Sequence, residues 1–212
     1  MPRSNPARRR DLTDAAISLL AADGVHGLTH RSAERAAGLP SGTASNYFRN
    51  REELLVAAAE RIVELHLSDM DRADAAALRQ APGAAAPGMV ELLAASLETA
   101  ASAQRDRYLA IFELTLEARR RPALRDALAR LAGGATTFTA DQHADLGIDV
   151  PPGAVPLLVT LYGGALFSLV TAPAGPGTPT AHDLARAIVA GAVAAAPSPP
   201  PNVSDPQVTG VT

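Results

Sequence analysis

The stretch from Leu28 to Leu55 most constrains what this chain can fold into. It reads LTHRSAERAAGLPSGTASNYFRNREELL, and Gly38 and Pro40 divide its first part into two short segments. A glycine readily adopts the positive φ that closes a helix, whereas a proline inside a helix removes a hydrogen bond and clashes with the preceding turn. The pattern therefore predicts a short helix ending at Gly38 and a second short helix from Ser41 to Phe48.

A third helix is predicted to follow directly. Asn50 and Glu53 have the spacing of a capping box, in which the first side chain accepts a backbone N–H near the helix start. The two helices before it are too short to be stable in water on their own, so they must pack against neighbours. This arrangement is typical of a helix-turn-helix, whose second helix enters the major groove of DNA. A small helical corner of a larger bundle is the alternative that the pattern leaves open.

The run AERAAGLPSGTASNYFRNREELL resembles the DNA-binding signature of the TetR/AcrR family of bacterial transcriptional regulators. The shared features are a small-residue helix, a glycine followed by a hydrophobic residue, Gly42–Thr43 opening the recognition helix, the Tyr47–Phe48 pair and a charged entry to the next helix. The resemblance covers roughly residues 8–66; beyond them it extends only to the all-helical plan.

The resemblance implies an all-α fold of about nine helices. An N-terminal three-helix helix-turn-helix DNA-binding domain is expected over residues 1–50. A long fourth helix joins it to a C-terminal helical ligand-binding and dimerisation domain over residues 51–196. The remaining residues, 197–212, are rich in proline and lack periodicity, so we expect a disordered tail.

Eight residues are expected to contact DNA, and for Arg31, Thr43, Tyr47 and Arg51 the expectation comes from the same resemblance. Thr43 and Tyr47 match the family's phosphate contacts, and Gly42 lets the backbone approach the groove. Ser45 and Asn46 are the candidates for base reading, because Asn can pair with the N6 and N7 edge of adenine. The complete set is Arg31, Ser41, Gly42, Thr43, Ser45, Asn46, Tyr47 and Arg51, with Arg51 matching a phosphate clamp. Many members carry an aromatic at the position of Ser45 and His at that of Asn46, so base preference cannot be carried over.

The distribution of charge agrees with a DNA partner, although the net charge is −3. Residues 1–51 hold eight Arg and four acidic residues, and the rest of the chain is acidic. A basic N-terminal part on an acidic remainder is typical of a DNA-binding module attached to a regulatory domain. Arg8, Arg9 and Arg10 are read either as a solubilising tail or as contacts to phosphates or the minor groove.

Helical periodicity and breaker residues set the predicted helix bounds. The first helix is expected over about 9–23 and is ended by Gly24. Thr29 is expected to cap the second helix, and Thr180, with Asp183 three positions on, the last. Beyond the recognition helix, the expected ranges are about 51–79, 87–103, 104–120, from 122 onwards, 153–171 and 180–196. An interruption is expected at Gly133–Gly134, since each glycine costs about 1 kcal/mol relative to alanine inside a helix.

The predicted eighth helix, VPLLVTLYGGALFSLVTA, is almost wholly apolar. Such a helix must be buried on several sides, and in a chain of this size a second subunit is the expected cover. The last two helices resemble the family's dimer-forming pair, which predicts a homodimer held by a four-helix bundle. The expected interface residues are Leu161, Gly164, Phe167, Ser168, Leu184, Ile188 and Ala192. The alternative is that both helices belong to the core of one chain.

No pattern of catalysis is present. The chain has no GxSxG, HExxH, P-loop or GxGxxG motif, and its five His residues lack metal-ligand spacing, so we expect neither an enzyme, a metal nor a cofactor. The family's second domain holds a ligand pocket, and the candidates for it are His66, Met70, Met89, Leu93, Tyr108, Phe112, Phe138, His143 and Tyr162. Few of these carry charge, which favours an apolar or neutral polar small molecule. An aromatic residue at helical spacing is more often part of the core than of a binding site.

The sequence also predicts where and how the protein acts. It has no Cys and no apolar run long enough to span a membrane, and its basic N-terminus leads into DLTDAA rather than an apolar signal core. A cytoplasmic location is therefore expected. The main hypothesis is a ligand-responsive dimeric repressor that releases a palindromic operator when a small molecule binds. The alternative is a ligand-independent architectural DNA-binding protein, or a regulator controlled by a protein partner.

Overall fold

The computed structural model describes residues 5–77, 88–145, 153–172, 175 and 177–195. These residues form no strand, which confirms the all-α prediction. They form eight α-helices and one 3-10 helix, Ala44–Asn46, between α2 and α3. The α-helices are α1 (Pro6–Gly27), α2 (His30–Ala36), α3 (Arg51–Ala77), α4 (Met89–Ala101), α5 (Arg105–Ala118), α6 (Pro122–Asp145), α7 (Val155–Thr171) and α8 (Ala181–Ala195). The stretch between the predicted helices at 51–79 and 87–103, and the predicted tail at 197–212, lie outside the described residues.

The predicted recognition helix is shorter than expected. Only Ala44–Asn46 form a helical turn, whereas the sequence predicted a helix from Ser41 to Phe48. Gly42 has a φ of +84°, which lies outside the helical region and therefore delays the start of the turn. The N–H of Phe48 donates to the carbonyl of Ala44 at 2.9 Å, and this contact closes the turn. We call residues 41–47 the recognition segment.

Three helix starts predicted from local sequence are confirmed. The hydroxyl of Thr29 accepts the N–H of Ser32 at 3.0 Å. Asn50 Oδ1 accepts the N–H of Glu53 at 2.9 Å, and the hydroxyl of Thr180 accepts the N–H of Asp183 at 3.1 Å. Each contact satisfies a backbone donor that the first turn of a helix leaves without a partner.

Predictions based on helix-breaking glycines have opposite outcomes at Gly24 and at Gly133–Gly134. Gly24 interrupts α1 with a φ of +66° and a ψ of −173°, as the sequence predicts. By contrast, α6 continues through Gly133–Gly134 from Pro122 to Asp145, so the interruption predicted there is wrong. Glycine propensity is a weak signal that packing readily overrides, and α6 packs against α3 and α5.

Two hydrophobic cores organise the molecule. The head core joins α1, α2, the 3-10 helix and the first half of α3 to Ala110, Leu114 and Ala118 of α5 and to Leu124 and Ala127 of α6. The head core therefore contains residues from both sides of residue 50, the predicted domain boundary. α5 continues from the head core into the second core, which we call the body core.

The body core is built from α4, α7 and α8, with the first half of α5 against it. Its fully buried side chains include Leu97, Leu158 and Val170, and alanines fill many of the remaining positions. Small side chains allow these helices to approach closely. None of the described helices combines the length and the apolar character that crossing a membrane requires.

Two glycine substitutions should have opposite effects on stability. Gly24→Ala should lower the free energy of unfolding by about 1–2 kcal/mol, because a residue with a Cβ is strained at positive φ. The added Cβ would also lie 3.1 Å from Oε2 of Glu113. Gly133→Ala should raise the free energy of unfolding by up to about 1 kcal/mol, since no described atom lies within 4 Å of its added Cβ. Urea unfolding at one protein concentration measures both, and a stabilised Gly24→Ala variant would contradict the expectation.

Candidate functional site

The recognition segment presents a polar surface to solvent. Ser41, Gly42, Ser45 and Asn46 are all exposed, so four of the predicted DNA-contacting residues lie on one short stretch of chain. Arg31 is exposed on α2, the helix against which the 3-10 helix packs. These five positions are available to a partner without any rearrangement of the core.

Thr43, Tyr47 and Arg51 are also predicted DNA contacts, but each has a partner inside the protein. Thr43 is 8% exposed, and its hydroxyl donates to the carbonyl of Pro40 at 2.6 Å. The hydroxyl oxygen of Tyr47 accepts the N–H of Asn5 at 3.2 Å, which leaves its own proton for another acceptor. The DNA contacts assigned to these residues stay predictions.

Arg51 holds the corner between α1 and α2. Its Nε donates to the carbonyl of Leu28 at 2.6 Å, and its Nη2 donates to the carbonyl of Val25. The N–H of Val25 donates to Oε2 of Glu113 at 3.1 Å. Two long-range side chains thus bind the backbone of one corner, a role that the sequence analysis missed because Glu113 lies 88 positions from Val25.

Glu34 is a second residue that the sequence analysis missed. It is 4% exposed, and its Oε1 accepts the N–H of Ala44 at 2.7 Å. The contact joins α2 to the start of the 3-10 helix. The available signal was an acidic residue among the small residues of α2, because a buried carboxylate requires a hydrogen-bond donor.

The first turn of α1 packs on Phe48, the residue directly after the recognition segment. The guanidinium of Arg9 lies 5.5 Å from the centre of the Phe48 ring and 3.8 Å from the carboxylate of Glu60. Arg8 and Arg10 are exposed on the same turn. Of the three arginines, Arg9 therefore has a structural role, and the other two are available to a phosphate backbone.

A chain of polar side chains crosses the helices next to the body core. His66 of α3 donates from Nδ1 to the carbonyl of Ile62 at 3.1 Å, and this contact leaves Nε2 as the acceptor for the hydroxyl of Tyr108 at 3.2 Å. The hydroxyl of Tyr162, on α7, lies next to that of Tyr108 and 2.8 Å from that of Ser96. The structure therefore brings together three of the predicted ligand-binding residues, His66, Tyr108 and Tyr162.

This polar chain is neutral near pH 7. Burial lowers the pKa of His66, and the charge of Arg107 lowers it further. Burial also raises the pKa of Tyr108, and the neighbouring Tyr162 raises it further. Burial likewise raises the pKa of Tyr162. Asp69 Oδ2, the nearby acceptor, binds Arg107 at 2.5 Å and Gln104 at 2.9 Å. The region thus offers hydroxyls and aromatic rings rather than a charge.

The remaining ligand candidates divide into two groups. Met89, Leu93 and Phe112 are half-buried and pack against the body core, and the side chains of Met70, Phe138 and His143 lie outside those that the structure describes. The ring of Phe112 lies 5.0 Å from that of Phe167. Within the described residues, no cluster of His, Asp and Glu could hold a metal ion.

The predicted dimer residues occupy different environments. Leu161, Gly164, Phe167 and Ser168 are exposed on α7, whereas Leu184 is half-buried against the body core. Ile188 and Ala192 lie inside that core, which leaves little of their side-chain surface for a partner, and their place at an interface stays a prediction. The exposed residues of α8 include Ala187, Ala190, Gly191 and Ala194.

The pKa of His66 predicts a loss of stability in mild acid. In the unfolded chain His66 binds a proton as the pH falls through about 6.5, whereas the folded state keeps it neutral to a lower pH. The unfolded state therefore gains protons first, and the free energy of unfolding should fall as the pH drops below that value. Urea unfolding at several pH values should show this fall, and it should be smaller in His66→Gln.

The exposed His182 supplies the control. His182→Gln makes the same substitution at an exposed position on α8, and the fall should be smaller in His66→Gln than in this variant. An equal pH dependence in wild type and His66→Gln would contradict the assignment to His66.

Two family models match the chain. The model described as "Bacterial regulatory proteins, tetR family" matches residues 12–58. The model described as "Tetracyclin repressor-like, C-terminal domain" matches residues 84–195, which is more than half of the chain. A comparison with curated proteins found no match.

Solved structures share the fold. The multidrug binding protein EbrR complexed with imidazole is 27% identical with a TM-score of 0.63, over 92% of this chain and 98% of that chain. A TetR-family member from Streptomyces coelicolor A3 is 27% identical with a TM-score of 0.64, over 88% and 98%. GusR of Salmonella enterica, 21% identical with a TM-score of 0.59 over 92% and 100%, shows likeness of fold alone. On the two matched models, the chain belongs to the TetR family of DNA-binding, non-enzymatic transcriptional regulators.

Proposed function

We propose that this protein is a dimeric repressor that binds a palindromic operator and releases it when a small molecule binds beside the body core. The observation that carries the proposal is the course of α3 and α5. Both helices contribute to the polar chain, through His66 and Tyr108, and both reach the α1–α2 corner, through Arg51 and Glu113. A ligand that separates these helices would therefore act on the head.

The recognition segment supports the DNA-binding part of the proposal. Ser45 and Asn46 are exposed and carry groups that hydrogen-bond to base edges. Tyr47 and the exposed arginines of α1 provide donors for phosphates, which position a protein on DNA without reading its sequence. In a dimer, two such segments read successive major grooves only at a separation of about one helical turn or a multiple of it.

The polar chain supports the ligand-responsive part. Its groups are neutral, and its two tyrosines pack against the body core together with the half-buried Leu93 and Phe112, so an apolar or neutral polar ligand fits them best. A similar protein, the multidrug binding protein EbrR, has been crystallised with ethidium, at 27% identity. A ligand shifts the balance between DNA-competent and incompetent states only by its difference in affinity for the two.

The exposed surface of α7 and α8 supports the dimer. Phe167 is 50% exposed, and Gly164 and Ser168 lie on the same helix. On α8 the exposed side chains include those of Ala187, Ala190 and Ala194, and small side chains allow a partner helix to approach closely. An apolar ring beside small residues is suited to helix–helix contact between two subunits.

The decisive experiment is an electrophoretic shift with DNA from around the protein's own coding region, together with native mass. A complex of two or four subunits on a short palindrome, displaced only by that sequence, would support the proposal. A monomer, or equal binding to every duplex, would favour an architectural DNA-binding protein. Ethidium fluorescence, measured without DNA because ethidium intercalates, then tests ligand binding, with Tyr108→Phe and Tyr162→Phe as variants.

Tyr47→Phe should weaken DNA binding several-fold, and by the same factor on every duplex, because it removes a phosphate donor and reads no base. Asn46→Ala is the matched variant. It should lower affinity for the preferred duplex by about tenfold while changing other duplexes little, since one bidentate base contact contributes about 1–3 kcal/mol. Fluorescence anisotropy with a preferred and a scrambled duplex measures both effects. Wild-type affinity of both variants on both duplexes would reject these assignments.

Phe167→Asp should convert the dimer to a monomer, because a buried interface would leave the new carboxylate without a partner. Leu116→Asp is the control, since Leu116 is 65% exposed but lies on α5, outside the proposed interface. Native mass or light scattering reports both. A dimer that persists in Phe167→Asp, or that dissociates in Leu116→Asp, would place the interface elsewhere.

A further inference from the structure

The recognition segment has little support of its own. Its helical part is three residues long, and the side chain of Thr43, which precedes it, makes no capping hydrogen bond. The hydroxyl of Thr43 donates instead to the carbonyl of Pro40, which lies before the turn. The orientation of Ser45 and Asn46 must therefore be fixed by contacts from elsewhere in the head.

Glu34 supplies such a contact. Its carboxylate accepts the N–H of Ala44, the first residue of the 3-10 helix, at 2.7 Å. Both residues are buried, with Glu34 4% exposed and Ala44 fully buried. A charge-assisted hydrogen bond of this length is among the stronger contacts in proteins, and Ala44 is the immediate neighbour of Ser45.

A carboxylate is an unfavourable choice at this place unless it has a specific task. Its burial costs free energy, and its negative charge opposes the approach of phosphates. Removal of the charge alone should therefore raise the affinity for any duplex. A loss of affinity for the preferred duplex would be a change in the opposite direction, and it would show that the hydrogen bond from Ala44 to Glu34 matters for recognition.

We propose that Glu34 is a positioning residue for DNA recognition, whose carboxylate fixes the N–H of Ala44 and thereby sets the orientation of Ser45 and Asn46. The proposal rests on the base-reading role proposed above for those two residues. Glu34 itself contacts no DNA, and it acts through the backbone of the recognition segment.

The test uses the full chain and a duplex selected by the wild-type protein from a random pool. Anisotropy measures affinity for this duplex and for a scrambled one in Glu34→Ala, Glu34→Gln and the control Glu98→Gln, which removes a charge from an exposed position on α4. Glu34→Ala should lose about tenfold or more on the selected duplex, since a hydrogen bond to a charged group is among the stronger contacts that can hold the segment. It should bind the scrambled duplex at least as well as wild type.

Rescue by the conservative variant completes the expectation. Glu34→Gln keeps an oxygen that can accept the N–H of Ala44, so its ratio of selected to scrambled affinity should lie between those of Glu34→Ala and wild type. Glu98→Gln should match wild type on both duplexes. Amide hydrogen exchange at Ala44 should be fastest in Glu34→Ala, intermediate in Glu34→Gln and slowest in wild type.

Three results would overturn the proposal. The first is a ratio of selected to scrambled affinity in Glu34→Ala that equals that of wild type. The second is an equal loss of affinity on both duplexes together with a lower melting temperature, which would mark a purely structural role. The third applies if Glu34→Ala does not fold: Glu34→Gln then shows both the wild-type ratio and the wild-type rate of amide exchange at Ala44. Asn46→Ala, measured in parallel, distinguishes failure of the positioning role from failure of the base-reading role. If Asn46→Ala also leaves the affinity ratio unchanged, the base-reading role itself is rejected.

Discussion

The corner between α1 and α2 depends on two side chains that arrive from far along the chain. The backbone leaves its helical course at Gly24, so the N–H and C=O groups around it need partners from outside the helix. Glu113 accepts the N–H of Val25, while Arg51 donates to the carbonyls of Val25 and Leu28. Because Glu113 lies on α5 and Arg51 is the first residue of α3, these contacts hold the α1–α2 corner to both helices at once.

α3 is held at its other end as well. Asp69 binds Arg107 of α5 and Gln104 of the turn before it, and His66 lies one turn before Asp69 on the same helix. The polar chain is therefore attached to a helix that is fixed by Arg51 at one end and by Asp69 near the other. A change at His66 or Tyr108 is opposed by these contacts, and whatever displacement they permit reaches the head. This is a physical route by which two distant sites can share one equilibrium.

What the sequence revealed was chiefly local. The caps at Thr29, Asn50 and Thr180 follow from residues three positions apart, and the end of regular helix at Gly24 follows from a single glycine. The contacts of Glu34 with Ala44 and of Glu113 with Val25 join positions 10 and 88 residues apart, and no short-range pattern encodes them. Gly133–Gly134 shows the opposite failure, because a real local preference for interruption did not decide the outcome in a packed helix.

The candidate site shows the same division. The position of the recognition segment was evident from its residues, yet its length was overestimated because Gly42 takes a positive φ that its neighbours do not reveal. The residues of α7 predicted at a dimer face are exposed, whereas Ile188 and Ala192 are buried in their own chain. On a helix as rich in alanine as α8, apolar residues occur on every side, so hydrophobicity alone cannot tell which side meets the body core.

The head core also bears on how such a protein can diverge. Because Leu114 of α5 and Leu124 of α6 complete the packing around α1 and α3, the DNA-reading part is not a detachable module. A recombination event that joined this head to a foreign body at residue 50 would leave an apolar cleft where those helices belong. If the protein acts as proposed, exchange of DNA specificity should therefore proceed by substitution within the recognition segment, and exchange of ligand specificity by substitution around the body core, rather than by shuffling of whole domains.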